Sequence, residues 1–177
     1  MKNLGIIFFI LTLALLSFTF TQIEVEEVGN SPGIIQAIGD AGSPQVFTFQ
    51  KWEFSKAEMP ENKIENIQLE IEINTSSLTC DWKDLQKSIR KKKDYFYVKK
   101  FPKAIVKIDG AEAAEDGKYK TQAMLTLKKY TKPVELIFTV EGKEVKGEGV
   151  ITRQDFGFTG GGPKDEVPIS FEVTLPF

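Results

Sequence analysis

From Ile67 to Ile73 every second residue is isoleucine or leucine, and every residue between is glutamine or glutamate. A repeat of two is the repeat of an extended strand, whose side chains leave on alternate faces. One face must then be buried and the other wet, which is the mark of an antiparallel sheet. The pattern recurs. Val134, Leu136, Phe138 and Val140 alternate with Glu135, Ile137, Thr139 and Glu141. Ala104, Val106 and Ile108 share a face, as do Ala123, Leu125 and Leu127, and Ile169, Phe171, Val173 and Leu175. Val145, Gly147, Gly149 and Ile151 share another, and glycine there suits a strand that bends or packs closely.

The breaks between runs are turn chemistry. Asp116-Gly117 and Gly142-Lys143 mark hairpins, and Thr131-Lys132-Pro133 marks a strand entrance. Asn74-Thr75-Ser76 fits a strand end and turn better than a glycosylation site, because the sequon is short and common. Val46–Phe49 and Trp52–Phe54 are aromatic and β-branched, with Gln50-Lys51 as a bulge or tight turn between them. Ile34, Ile35 and Ile38 fit either a short strand or a tucked segment. The count is about eight strands in an all-β chain, a barrel or a sandwich.

One stretch breaks the pattern. Leu78, Trp82, Leu85 and Ile89 recur at helical spacing, and the basic run Arg90, Lys91, Lys92 and Lys93 follows. A helix over about 78–93 is expected at the mouth of the barrel. The basic run reads as a solvated helix end or as a dock for an anionic membrane surface.

The N-terminus reads as an address. Lys2 precedes an almost unbroken apolar run of 13 residues, Leu4 to Leu16. A spanning helix needs about 20 residues, so residues 1–21 are expected to be a cleaved signal peptide, and 22–177 one exported domain. Location is then periplasmic or secreted. Cys80 is the only cysteine, so no internal disulfide forms and the thiol reads as a buried core atom.

The chain has no histidine, which removes the usual general base and the commonest zinc ligand. Asp81, Asp84, Asp94 and Asp155 are candidates for acid–base work, with no nucleophile or metal-ligand spacing beside them. No catalytic residue, metal or cofactor is expected. The net charge of −2 gives no reason to expect nucleic acid. The apolar inner faces suit either a filled core or a cavity for an apolar ligand.

Four blocks resemble the YceI-like family, lipocalin-like polyisoprenoid-binding proteins of bacteria. Asp94-Tyr95-Phe96-Tyr97-Val98-Lys99-Lys100-Phe101-Pro102 resembles its D-F-F-D-V-x-K-[YF]-P run. Leu125-Thr126-Leu127 with Thr131-Lys132-Pro133-Val134 resembles L-T-[IL]-x-G-x-T-K-P-V, without the glycine. Arg153-Gln154-Asp155-Phe156-Gly157 resembles R-x-D-F-G, and Asp165-Glu166-Val167 with Ile169 resembles D-E-V-x-I. The resemblance runs over about Phe47 to Val173; the family's usual histidines are absent. It implies an eight-stranded antiparallel lipocalin-like β-barrel, non-enzymatic, holding an isoprenoid or other long-chain amphiphile. On that transfer the tail channel is lined by Phe47, Phe49 and Trp52, by Leu69 and Ile71, and by Phe96 and Phe101. Val106, Leu125, Leu127, Leu136 and Phe138 continue it, with Phe156 and Phe171. A homodimer stays open.

Far-ultraviolet circular dichroism of the purified protein should show a β-dominated spectrum; a mostly helical one would sink the strand assignment.

Overall fold

The computed structural model describes residues 31–40, 42–162 and 164–177. The expected signal peptide lies outside them. The described residues are mostly β, with one α-helix and a curled antiparallel sheet of eleven strands. In chain order the first strands are β1 (Gly33–Asp40), β2 (Pro44–Phe49), β3 (Trp52–Glu58), β4 (Gln68–Asn74) and β5 (Leu78–Thr79). After helix α1 (Lys83–Lys91) come β6 (Lys103–Asp109), β7 (Glu112–Ala113) and β8 (Tyr119–Leu127). The last three are β9 (Tyr130–Glu141), β10 (Glu144–Thr152) and β11 (Glu166–Thr174).

The hydrogen-bonded order is β3-β4-β6-β8-β9-β10-β11-β1-β2-β5. The strand count exceeds the expected eight for two reasons. β7 is a two-residue side branch on β8. The other extra strands come from bends. Gln50-Lys51 kinks one run of chain into β2 and β3, and Thr75–Ser77 kinks the facing run into β4 and β5. The kinks lie against each other: Asn74 N–H donates to the Lys51 carbonyl (2.9 Å), and Lys51 N–H to the Ser77 hydroxyl (3.0 Å). Counted as runs of chain, the ring is β1, β2–β3, β4–β5, β6, β8, β9, β10 and β11, which is eight. Closure is confined to the bend. Beyond it β3 pairs only with β4, and β2 with β1 and, through Thr48 and Phe49, with β5.

The ambiguous Ile34–Ile38 segment is strand β1, paired on both sides, to β11 and β2. Pro133 sits inside β9 rather than before it, opposite Met124 of β8. It is tolerated because Leu136 is the last β9 residue that β10 pairs, so Pro133 lies where one edge of the strand is open. Helix α1 is shorter than expected. Leu78 is buried in β5 opposite Phe49 instead of joining the helical stripe, and Trp82 is 51% exposed. The Gln86 side chain accepts the Cys80 N–H (3.2 Å), holding residues 80–82 as a loop before the helix starts. Cys80 itself is free and buried.

Register carries the core across the sheet. Ile71 opposes Val106, and Val106 opposes Leu125. Gly147 lies between Phe138 and Phe171, and Gly149 between Leu136 and Ile169. Each fully buried Leu, Ile or Phe contributes about 1.5–3 kcal/mol. On the outer wall Glu70 and Lys107 face one another (2.6 Å), as do Glu172 and Lys146 (2.9 Å). The Lys107 hydrogen bond holds the Glu70 carboxyl below its ordinary pKa, and the Glu172 hydrogen bond raises Lys146 above its own. Such exposed pairs add little stability, but a slip of one residue would carry them inside.

A β-carbon on Gly147 would come within 2.3 Å of the Phe171 ring and 2.6 Å of the Phe138 β-carbon. Gly147→Ala should therefore lower the unfolding free energy by about 1–3 kcal/mol, read by denaturant titration.

Candidate functional site

Inside the barrel lies a cavity of about 140 Å³. Its walls come from nearly every strand: Ile71, Val106, Leu125, Leu136, Phe138 and Phe171 among others. Apart from Gln36 and Ser170 every lining residue is apolar, and the Gln36 amide is spent on the Thr48 hydroxyl (3.0 Å). A second cavity of about 330 Å³ adjoins it at the mouth and shares Ala37, Phe49, Phe96, Leu127 and Ile151. Leu85 and Ile89 of α1 roof this outer chamber, and Asp40, Arg153 and Gly160–Gly162 give it a polar rim. Phe96 stands between the chambers. Its ring meets Phe49 edge to face at 5.9 Å and Phe158 at 5.0 Å.

At the distal end the chain leaving β6 is tied to the start of β4 and to β8. Gly110 N–H donates to the Ile67 carbonyl (2.7 Å), and Thr121 hydroxyl to the Gly110 carbonyl (2.7 Å).

The mouth is built by four short stretches that lie far apart in sequence. The Asp94 carbonyl accepts the N–H groups of Thr159 and Gly160, and its carboxylate accepts the Thr159 hydroxyl (3.0 Å). Lys128, in a left-handed conformation at the β8–β9 turn, donates to the carbonyls of Lys93 (3.1 Å) and Gly157 (2.8 Å). Its ammonium also sits 5.1 Å from the Phe158 ring. Burial pulls the Lys128 pKa below its ordinary value, with Asp94 opposing. Arg153 donates to the carbonyls of Gly160 (2.7 Å) and Gly162 (2.9 Å) and lies 3.8 Å from the Asp165 carboxylate. Arg153 N–H also donates to the Asp165 carbonyl (3.0 Å). The Asp94–Pro102, Leu125–Val134, Arg153–Gly157 and Asp165–Ile169 stretches are thus joined into one collar. Phe156, 1% exposed, anchors the third, and Gly157 follows in the left-handed region against the Tyr130 ring.

The structure sorts the residues expected to line a channel. Leu69, Ile71, Val106, Leu125, Leu136, Phe138 and Phe171 face the inner chamber; Phe47 faces the outer; Phe49, Phe96 and Leu127 face both. Trp52, Phe101 and Phe156 face neither. Trp52 is core beside Phe54, ring centroids 5.5 Å apart, and Phe101 packs outside on Tyr97 at 6.5 Å. Alternation says which side chains point inward; it does not say which inward ring fills space and which borders it. The expected lining left out much of the wall, Ile35, Ala37, Ile73, Val134 and Ile151 among others, and Arg153 was read only as part of a motif. The polar ends of the glycine loop carried no periodic signal.

Arg90 departs from the expected surface role. Its guanidinium donates twice to the Leu78 carbonyl, at 2.9 and 2.6 Å, so it ties α1 to β5. Asp81, Asp84, Asp94 and Asp155 are exposed, and none lines either apolar chamber. Among the described residues no group of three His, Cys, Asp or Glu side chains could hold a metal ion. No helix among them is long and apolar enough to cross a membrane.

The model of a family described as YceI-like domain matches residues 35–175. That span includes the stretch before Ile64, where the motif blocks do not reach. The fold is similar to that of Burkholderia cenocepacia BcnA, with a TM-score of 0.68 and 23% identity, covering 80% of this chain and 94% of that one. It is also similar to a polyisoprenoid binding domain from Saccharophagus degradans implicated in plant cell wall breakdown. There the TM-score is 0.59 at 11% identity, over 84% of this chain and 97% of that one. A Campylobacter jejuni YCEI protein gives a TM-score of 0.60 at 18% identity, over 72% and 81%. At these identities the likenesses show the fold alone. No curated protein matches the chain.

Arg153→Lys cannot reach both glycine carbonyls. Amide hydrogen exchange at Thr159 and Gly160 should accelerate by about tenfold, read by mass spectrometry, with global stability changed far less.

Proposed function

The chain belongs to the YceI-like family, and from that premise we propose that it is an exported, non-enzymatic binding protein for an isoprenoid or other long-chain amphiphile. One observation carries this reading: an apolar inner chamber opens through a ring-lined neck into a wider outer chamber with a polar rim. A molecule with an apolar tail and a polar end has the same order of surfaces. The Saccharophagus degradans neighbour, described as a polyisoprenoid binding domain, supports the choice of tail.

Size bears on the fit. Ligand sites commonly span about 300–1,000 Å³. The inner chamber, at about 140 Å³, takes only part of a long tail, so the ligand runs through both chambers. Each methylene taken out of water contributes about 0.8 kcal/mol, with no directional bond required. The polar end then lies at the rim, near Asp40, Arg153 and the glycine loop. Export rests on the N-terminal apolar run, and the non-enzymatic reading rests on the family and on a cavity wall without reactive side chains.

Native mass spectrometry of protein purified from its own host without detergent tests the reading. A discrete adduct of a few hundred daltons, lost on organic extraction, is expected. A bare mass with no uptake of added isoprenoid would instead favour a filled barrel acting as an interaction domain. The same spectrum reads monomer or homodimer. Leu136→Trp and Phe138→Trp should each weaken tail binding by about tenfold or more while leaving the protein folded, since each fills the inner chamber.

A further inference from the structure

We propose that the mouth end of the barrel docks on an anionic lipid bilayer, with α1 facing the surface. The first observation is the direction of α1. Leu85 and Ile89 point down into the outer chamber. Lys83, Lys87 and Lys91 recur every fourth residue on the opposite face, and all are exposed. One stripe of the helix roofs the cavity, and the other presents ammonium groups away from the barrel.

The second observation is how lysines are partnered. On the barrel wall Lys103, Lys107, Lys120 and Lys146 pair with glutamates. At the mouth Lys83, Lys87, Lys91, Lys92 and Lys93 make no salt bridge among the described residues. Lys129 and Lys132, exposed on the neighbouring β8–β9 hairpin, make none either. The turn carries them beside α1, because Lys128 is bonded to the Lys93 carbonyl. Asp81, Asp84 on α1 itself, Asp155 and Glu166 are exposed at this end but are outnumbered by the cations, and the other carboxylates are engaged: Asp40 by the Gly42 N–H, Asp94 by Thr159, and Asp165 by Arg153 and the Gln154 N–H.

The third observation is the other end. The distal turns carry Glu61 and Glu65, Asp109 and Glu112, Glu115 and Asp116, and Glu141 and Glu144. Lys63, Lys118, Lys120 and Lys143 offset them only in part. A chain whose net charge is −2 is therefore charged oppositely at its two ends. A negative surface turns such a molecule mouth first. Trp82, 51% exposed at the start of α1, is the residue type that settles at a lipid–water boundary. A bilayer, unlike an acidic protein or a nucleic acid, also places amphiphiles where the cavity opens. That purpose rests on the amphiphile-binding reading. The docking itself does not, because vesicle binding and bound-ligand mass are separate measurements.

The test is co-sedimentation of the protein purified from its own host with vesicles containing phosphatidylglycerol, and with vesicles of phosphatidylcholine alone. Binding to the anionic vesicles is expected to be stronger by on the order of tenfold and to fall with added salt. The combined variant Lys83→Glu, Lys87→Glu, Lys91→Glu should lose that binding while keeping its circular dichroism spectrum and bound-ligand mass. Glu115→Lys with Glu141→Lys, at the distal end, should leave binding near that of the parent. A blue shift of emission on anionic vesicles, abolished by Trp82→Phe, is also expected, since Trp52 is already buried. Equal binding to neutral vesicles, binding that the α1 charge reversal leaves intact, or an equal gain from the distal variant overturns the proposal.

Discussion

A sheet of this kind holds an interior only if it comes back to itself, and here that return depends on one bent ribbon. Gln50-Lys51 sends a single run of chain from the β1 side of the barrel to the β4 side, and Thr75–Ser77 bends its partner to match. The two bends satisfy each other's backbone groups, which a kinked strand would otherwise leave without partners. Thr75, 1% exposed, locks the corner further: its hydroxyl donates to the Phe101 carbonyl at 2.7 Å. The inward rows of isoleucine, leucine and phenylalanine face one another only because this corner holds.

What closes the barrel differs from what shapes its opening. The walls are set by side-chain alternation and cross-strand register. The mouth is set by polar side chains clasping carbonyls. Lys128, Arg153 and Arg90 all do this, Lys128 and Arg90 taking up main-chain oxygens of other segments and Arg153 those of the glycine loop that follows it. The motif blocks that mark the family are the parts of this collar, so their residue types follow from the need to tie loops together. The cationic surplus at this end has a different origin, since the exposed lysines of α1 clasp nothing.

The walls were legible in the amino-acid sequence because a repeat of two survives any neighbour. Ile67–Ile73 and Val134–Val140 could be read as strands with their inner faces assigned. β1 could not, because its Gly33, Ala37 and Gly39 give no clean contrast of apolar and polar. The start of α1 was misplaced because Leu78 and Trp82 fall at helical spacing by accident. Leu78 is claimed by β5, and Gln86 caps the loop between. Trp52 and Phe156 show the limit for a cavity. A ring pointing inward borders empty space only if its neighbours leave some, and that is decided by long-range register. At Gly147 and Gly149 no such space is left, because Phe138, Phe171 and Leu136 pack directly against the glycine backbone.

Phe96 has a kinetic meaning. Its ring belongs to the walls of both chambers and rests on Phe49 and Phe158, with no strand holding it. On the proposed function, a tail running from the outer chamber to the inner one passes this ring. Contacts of this kind are worth about 0.5–1.5 kcal/mol each, enough to slow exchange without changing how well the tail is solvated inside. On that proposal residence time and equilibrium affinity are governed by different residues: the first by one aromatic turnstile, the second by the aliphatic walls beneath it.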